Sequence, residues 1–347
     1  MTATLVQMAT GRDDASVTWS QSIPYGRSDL RDSAFASYRS GGNGLLGERI
    51  RCCIKDCDQE LTRRRRGVKD RDAYCPKHGI SVSTSPGYVY EDYRRNFLVG
   101  LDVLDTIKKT ETWRLGNESS EDAVTWNVFL GLERLGELRS TFELLTGLIA
   151  DAEPELLLWG NRIHADGCSP WPALETIRAE LERGLGIKTE PDIALRLPGK
   201  ALVLVEAKFG SANGTLRGKE KRFGAVEDFL ARYRHRDGSD PLNREAIRGM
   251  APAEVLEQLC RNVVFAGRLA GGNERPYVIN LVRRGQEVHV EERMAKHLAA
   301  DGPVTFQRRE WEEFARLAVF AEKRAEPLKR YLREKTFRLR PAFTFVD

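Results

Sequence analysis

The stretch "EPDIALRLPGKALVLVEAKFG", residues 190–210, constrains the fold more than any other. Two apolar segments, "DIALRL" and "ALVLVEAKF", flank Pro198-Gly199, a pair that makes a tight turn and so joins two strands into a hairpin. Side chains two apart on a strand share a face, so Glu206 and Lys208 are neighbours while Ala207 points away. Asp192 opens the first strand and can sit beside them across the pair. A run as apolar as "ALVLV" is the pattern of a strand covered on both faces, where an acid is costly without a metal or a partner. The undemanding alternative is a surface hairpin carrying an exposed salt bridge.

A carboxylate from each of two strands makes a hard-oxygen site for Mg²⁺, which keeps several waters and takes one or two protein carboxylates plus a substrate phosphate. A lysine beside it can position or help deprotonate a water and offset charge building on phosphorus. Pro191-Asp192, followed fourteen residues after the Asp by Glu206-Ala207-Lys208, resembles the signature of the PD-(D/E)XK nuclease superfamily, the restriction-endonuclease-like fold. E-x-K alone is a weak signal. Here it ends an apolar strand, follows a PD-bearing strand after a Pro-Gly turn, and lies downstream of an acidic helix. The likeness covers about residues 115–290.

That resemblance implies an α/β core of order αβββαβ, a central mixed sheet flanked by helices, in which Asp192 and Glu206 bind Mg²⁺ or Mn²⁺ and Lys208 activates water. Members often add an acid from the first helix. Glu121 in "SSEDAVTW" is the candidate, with Asp122 and Glu118 as alternatives. Helical geometry does not choose, because Glu121 and Asp122 point about 100° apart, and acids in a first turn favour the helix dipole in any case. Several relatives carry a polar residue facing the site on the helix after the motif strands, a position taken here by Gln258 in "LEQLCRNVVFAG".

A second constellation lies nearer the amino terminus. "CCIKDC" (52–57) and "CPKH" (75–78) give Cys53-x3-Cys57 and Cys75-x2-His78 separated by seventeen residues, the spacing of a closed, structural Cys3His zinc site. Cys52 can replace Cys53, and spacing does not decide between them. The intervening "TRRRR" and Lys69 would form a positive loop suited to phosphate contact. Four protein ligands leave no open position, so this zinc is expected to be structural. Cys168 and Cys260 are isolated and expected to be inert.

The remaining organisation follows. Residues 1–46 read as an extended or partly disordered arm, 47–95 as the zinc-binding module, and 96–347 as the nuclease domain. Helices are expected over 119–138, with Ser119 and Asp122 in capping-box spacing, and over 142–150, 173–186, "VEDFLARYR" and "PAEVLEQLCRNVVFAGRLA". "RPYVINLVRR" reads as a strand, and "EVHVEERMAKHLAA" as a strand turning into a helix. Apolar runs fall far short of a membrane span of about 20 residues, and no basic and apolar leader begins the chain, so a cytoplasmic protein with reduced thiols is expected.

The net charge of +4 decides little, but Lys and Arg cluster at 62–69, 217–222, 232–236 and 329–340, which favours nucleic acid as partner. No P-loop and no Ser-His-Asp order is present. The expectation is a metal-dependent DNA endonuclease, by resemblance in prokaryotic restriction or antiphage defence, with a defence partner protein conceivable. Cutting both strands takes two sites, which a homodimer would supply. The rivals are a zinc-dependent nucleic-acid-binding or assembly protein that keeps the fold without turnover, and a nuclease for single-stranded or branched DNA or RNA.

Overall fold

The computed structural model describes residues 17–20, 24–31, 50–61, 73–82, 87–107, 112–164, 167–186, 188–217, 223, 225–235 and 240–345. The first folded unit is small and built from short strands: β1 (Ile50–Arg51) pairs with β2 (Glu60–Leu61), and β3 (Ala73–Cys75), β4 (Ile80–Val82) and β5 (Tyr88–Tyr90) form an antiparallel sheet. Its core contains four cysteines with Ile54, Leu61, Ile80, Tyr88 and Tyr90. Two outside pieces complete it, Leu30 from the amino-terminal arm and Leu339 from near the carboxyl end. The "TRRRR" loop lies outside the described residues.

A longer region follows. Its labelled helices are α1 (Glu121–Arg134), α2 (Leu138–Thr146), α3 (Pro172–Leu181), α4 (Val226–Arg232), α5 (Arg244–Arg248), α6 (Glu257–Leu269), α7 (Val290–Ala295) and α8 (Glu326–Glu334). Its strands are β6 (Glu155–Leu158), β7 (Asn161–His164), β8 (Gly167–Pro170), β9 (Ile193–Leu197), β10 (Ala201–Ala207), β11 (Arg275–Val282) and β12 (Thr305–Glu310). These seven strands make one mixed sheet, ordered β12-β11-β10-β9-β6-β7-β8. β10, β11 and β12 run parallel, and β10, β9, β6, β7 and β8 alternate antiparallel.

The 190–210 hairpin forms as expected, with Pro198-Gly199 at the turn and Gly199 at φ +73°, a conformation that suits a residue without Cβ. Strand alternation then sorts side chains into two cores. Val203, Val205 and Ala207 face a layer with α1, α2 and α8, whereas Leu202 and Leu204 face a layer with α3, α4, α6 and α7. Every side chain of "ALVLV" is fully buried, each contributing about 1–3 kcal/mol of transfer free energy. The chain is therefore an α/β protein with helices on both faces of a central sheet.

Several expectations need correcting. Ser120 rather than Ser119 caps α1, its side chain accepting from the Ala123 amide, while Ser119 donates to Glu118. The second helix is Leu138–Thr146, ended by Gly147 in the left-handed region. No strand forms at 286–289; Glu287 takes φ +48°, which breaks an extended run, and the sheet edge is supplied by β12 instead. Arg232 and Arg234 of the 232–236 cluster donate to backbone carbonyls of residues 181, 183 and 231, so part of that charge terminates helices and loops. Among the described residues, no helix is long and apolar enough to cross a membrane.

The small unit is hydrogen-bonded onto the large one. The Glu118 amide donates to the Tyr88 carbonyl (2.9 Å) and the Tyr90 amide to the Gly116 carbonyl (2.9 Å), so β5 pairs with the segment entering α1. Behind this seam Lys335 is buried, its ammonium 3.4 Å from Asn96 Oδ1. Burial lowers its pKa from 10.5 to about 8 despite the nearby Glu118 carboxylate. Between those values the unfolded chain keeps a proton that the folded chain has released, so stability rises with pH through the window and is lower below it. Lys335→Met is expected to flatten that rise and to stabilise the protein at pH 7 by on the order of 2–3 kcal/mol. Urea unfolding at neutral and alkaline pH measures both; an unchanged slope in the variant would sink the assignment.

Candidate functional site

The first cluster gathers at the carboxyl end of β10. In the β9–β10 register Ile193 faces Val205, and one further step sets Asp192 opposite Glu206. On the other side Glu206 faces Asn280 of β11. Glu206 lies on the same face as Leu202 and Leu204, under α6, and is buried. Its Oε1 accepts from Lys208 Nζ (2.6 Å) and Gln258 Nε2 (2.5 Å), and its Oε2 from Asn262 Nδ2 (2.9 Å). Gln258 and Asn262 stand one helical turn apart on α6, which is why both reach one carboxylate.

Asp192 turns its Oδ2 to the Ala207 amide (2.8 Å). Glu121, the first residue of α1, comes from the opposite helical layer. It closes the strand end by accepting from the Phe209 amide (2.6 Å) and Ser211 Oγ (3.3 Å), with its Oε1 3.7 Å from Lys208 Nζ. The structure thus brings Asp192, Glu206, Lys208, Glu121 and Gln258 together. Glu118 lies elsewhere, buried against the Leu339 amide and Ser119. Asp122 sits beside Glu121 in the same turn and adds negative charge to the site.

One buried ammonium stands among several carboxyls. Burial first, then repulsion from Glu206, holds Asp192 well above the ordinary carboxylate range. Burial also raises Glu121, with Lys208 and the Phe209 amide opposing. For Lys208, burial works against the charge, but Glu206, Glu121 and Asp192 outweigh it and hold the pKa above that of a free lysine. In this arrangement Lys208 is a fixed cation.

Sequence reasoning missed Asn262 and Asn280, whereas Asn213 belongs to the "FGSAN" segment (209–213) that the sequence places next to the site. Asn280 Nδ2 donates to the Glu206 carbonyl (3.3 Å) and its Oδ1 accepts from Asn213 Nδ2 (2.9 Å), bracing the strand end from the β11 side. The spacing of Asn262, four residues after Gln258, was a usable signal. Asn280 had none, because its relevance depends on the β10–β11 register.

The second cluster is a metal centre in its donor set. Cys52, Cys57, Cys75 and His78 place their ligand atoms within 4.8 Å of one another, the one such group among the described residues. Cys52, not Cys53, completes it. Adjacent residues leaving β1 point to opposite sides, so only one of the two can join the cluster, and it is Cys52. His78 Nδ1 is 3.5 Å from Cys52 Sγ and 3.4 Å from Cys75 Sγ, and Cys57 Sγ is 3.8 Å from Cys75 Sγ. Tetrahedral zinc at roughly 2.3 Å from sulphur and 2.0 Å from nitrogen asks for edges of about 3.8 and 3.5 Å. The cluster could therefore hold a metal such as zinc.

The turn that delivers this last pair is "CPKHG": the Gly79 amide donates to the Cys75 carbonyl (2.9 Å), with Gly79 at φ +59°. Burial, then the charges of Lys77 and Arg95, lowers the His78 pKa and favours the neutral imidazole a metal takes. Burial, with Cys52 and Cys57 adding, pushes the Cys75 thiol up to about 12, and a hydrogen bond with Cys53, then burial, raises Cys52. A bound cation would reverse that trend by stabilising the thiolates.

No family model, curated protein or solved structure matches this chain.

Proposed function

We propose that the chain is a metal-dependent endonuclease of restriction-endonuclease-like build that hydrolyses phosphodiester bonds in DNA. The observation that carries this is the convergence of Asp192, Glu206 and Lys208 with Glu121 and Gln258 at one strand end. The element order also favours it. Helix α1, strands β6, β9 and β10, helix α6 and strand β11 follow one another as α-β-β-β-α-β, with β6, β9 and β10 antiparallel in turn and β11 parallel to β10. On this reading, α2 is an insertion before the first strand, β7, β8 and α3 after it, and α4 and α5 before the second core helix. The open end of the parallel β10–β11 pair is where α/β sheets commonly present ligand sites.

The donors are the hard oxygens that a divalent cation takes: acids outnumber the single lysine, and burial with repulsion from Glu206 holds Asp192 and Glu121 high. Mg²⁺ or Mn²⁺, held through Asp192, Glu206 and Glu121, would supply the charge that polarises a substrate phosphate. Lys208 orients a water or a phosphate oxygen by donating a hydrogen bond and offsets negative charge as it develops. Its ammonium lies 2.6 Å from Glu206 and 3.7 Å from Glu121, where it supplies positive charge at the strand end. Gln258 and Asn262 hold Glu206 in one rotamer. Zinc at Cys52, Cys57, Cys75 and His78 would be structural. A setting in prokaryotic restriction or antiphage defence, with two copies cutting two strands, rests on the resemblance.

The test is cleavage of plasmid and phage DNA with and without added Mg²⁺ or Mn²⁺, wild type beside Asp192→Ala. Metal-dependent cutting that Asp192→Ala loses by about a thousandfold supports the reading. Binding without cutting in every protein and metal would move the assignment to a nucleic-acid-binding or assembly protein that keeps the fold without turnover.

A further inference from the structure

A groove of about 500 Å³ runs from Glu121 to the metal-binding unit. Gly87 and β5 of the small unit line it together with Asn117, Ser119, Gly210, Ser211, Phe337 and Arg338. It therefore runs from Glu121 of the strand-end cluster to the β5 edge of the small unit. Its polar groups are mostly neutral hydrogen-bonding side chains, and Arg338 is the cation on its rim. That arginine is exposed, and among the described residues no carboxylate pairs with its guanidinium. Two contacts hold it in place: its amide donates to Ser119 Oγ (3.3 Å), and its guanidinium lies 5.3 Å from the Phe337 ring centre. Phe337 in turn packs edge-on against Phe209 (5.4 Å), the residue that follows Lys208.

We infer that this groove binds one strand of nucleic acid, with a backbone phosphate on Arg338 and the neighbouring phosphodiester delivered to Glu121 and Lys208. This rests on the phosphodiesterase reading and narrows its substrate to single-stranded or locally opened nucleic acid. Size is the first reason: a volume in the range of small-ligand pockets admits an extended strand, whereas a duplex turn about 34 Å long does not enter it. The chemistry is the second. Mostly neutral polar lining with one pre-positioned guanidinium that no described carboxylate pairs matches a single phosphate, and Gly87, at φ +148°, presents no side chain where β5 borders the groove. Gly210 is required by packing, since a Cβ there would lie 2.0 Å from the Phe337 ring.

The experiment is fluorescence anisotropy of the full chain with labelled single-stranded DNA, single-stranded RNA of the same sequence and duplex DNA, in buffer free of divalent metal and of chelator. Single strands should bind more tightly than duplex. Arg338→Gln should weaken single-strand binding about tenfold and make the dependence on salt shallower by about 0.7 in log–log slope, the signature of one lost phosphate contact. Gly210→Ala should weaken it as well by displacing Phe337. Arg183→Gln, an equal charge change at an exposed position outside the groove lining and the basic clusters, should bind as wild type does. An Arg338→Gln protein with wild-type affinity and salt slope overturns the inference, as does tighter binding of duplex, no binding of any strand, or an equal loss in Arg183→Gln. The DNA and RNA arms identify the source of the strand. Because binding is read without turnover, intact groove binding beside absent cleavage would discard the enzyme and keep the groove, and the converse would keep the enzyme.

Discussion

Lys208→Met is expected to abolish metal-dependent cleavage, a loss of about a thousandfold or more, because it removes the one fixed cation among the site carboxylates. Its stability should change too. The Lys208 and Glu206 side chains are 6% and 2% exposed and 2.6 Å apart, so deleting Lys208 strips the buried Glu206 of its nearest cation, and Glu206→Gln leaves Lys208 the more distant Glu121 at 3.7 Å. Breaking such a pair costs about 3–5 kcal/mol. Glu206→Gln should show a comparable deficit in activity. The double variant, Lys208→Met with Glu206→Gln, should be less destabilised than the sum of the singles, since it removes the 2.6 Å pair as a unit. Urea unfolding of the four proteins measures the coupling, and cleavage assays measure turnover. A Lys208→Met protein that still cuts DNA at the wild-type rate would remove Lys208 from the mechanism, and strictly additive stabilities would remove the ion pair from the fold.

The second large effect concerns the metal centre. Cys52→Ser is expected to lose its bound zinc, whereas Cys53→Ser keeps about one ion per chain, because the Cys52 sulphur stands with Cys57, Cys75 and His78. Apparent binding free energies of about 10–16 kcal/mol make such an ion part of the folding of a unit this small. The consequence should reach the other site. β5 hydrogen-bonds to residues 116–118, which lead directly into α1 and Glu121. Loss of zinc should therefore lower the first thermal transition and reduce cleavage without touching any acid of the strand-end cluster. Metal content by atomic emission beside a melting curve decides it: equal zinc in Cys52→Ser and wild type, or loss in Cys53→Ser instead, contradicts the assignment.

Much of this was legible in residues 190–210, because a hairpin is a local object. The turn pair, the apolar run and the period of two placed Glu206 beside Lys208 and brought Asp192 to them with no knowledge of distant chain. Gln258 was legible from its place after the motif strands. The short strands β6 to β8 were not. They are four residues each, lie among Gly and Pro, and owe their pairing to the strands beside them rather than to propensity. Boundaries slipped where a neighbouring hydroxyl offered the better cap, as Ser120 did next to Ser119.

What the sequence by itself determined is therefore the set of chemical groups and their pairing at short range: two strands with an acid and a lysine at their end, and two thiol-bearing turns spaced for a metal. Only the tertiary structure decided which members of each set meet. It chose Cys52 over Cys53, turned Glu121 rather than Glu118 toward Lys208, brought Asn262 onto Glu206, and closed the small unit with Leu30 and Leu339 from distant parts of the chain. The reason is physical. Local periodicity sets the direction of a side chain relative to its own element, but the distance between two elements follows from how their buried faces pack, and that depends on the whole chain at once.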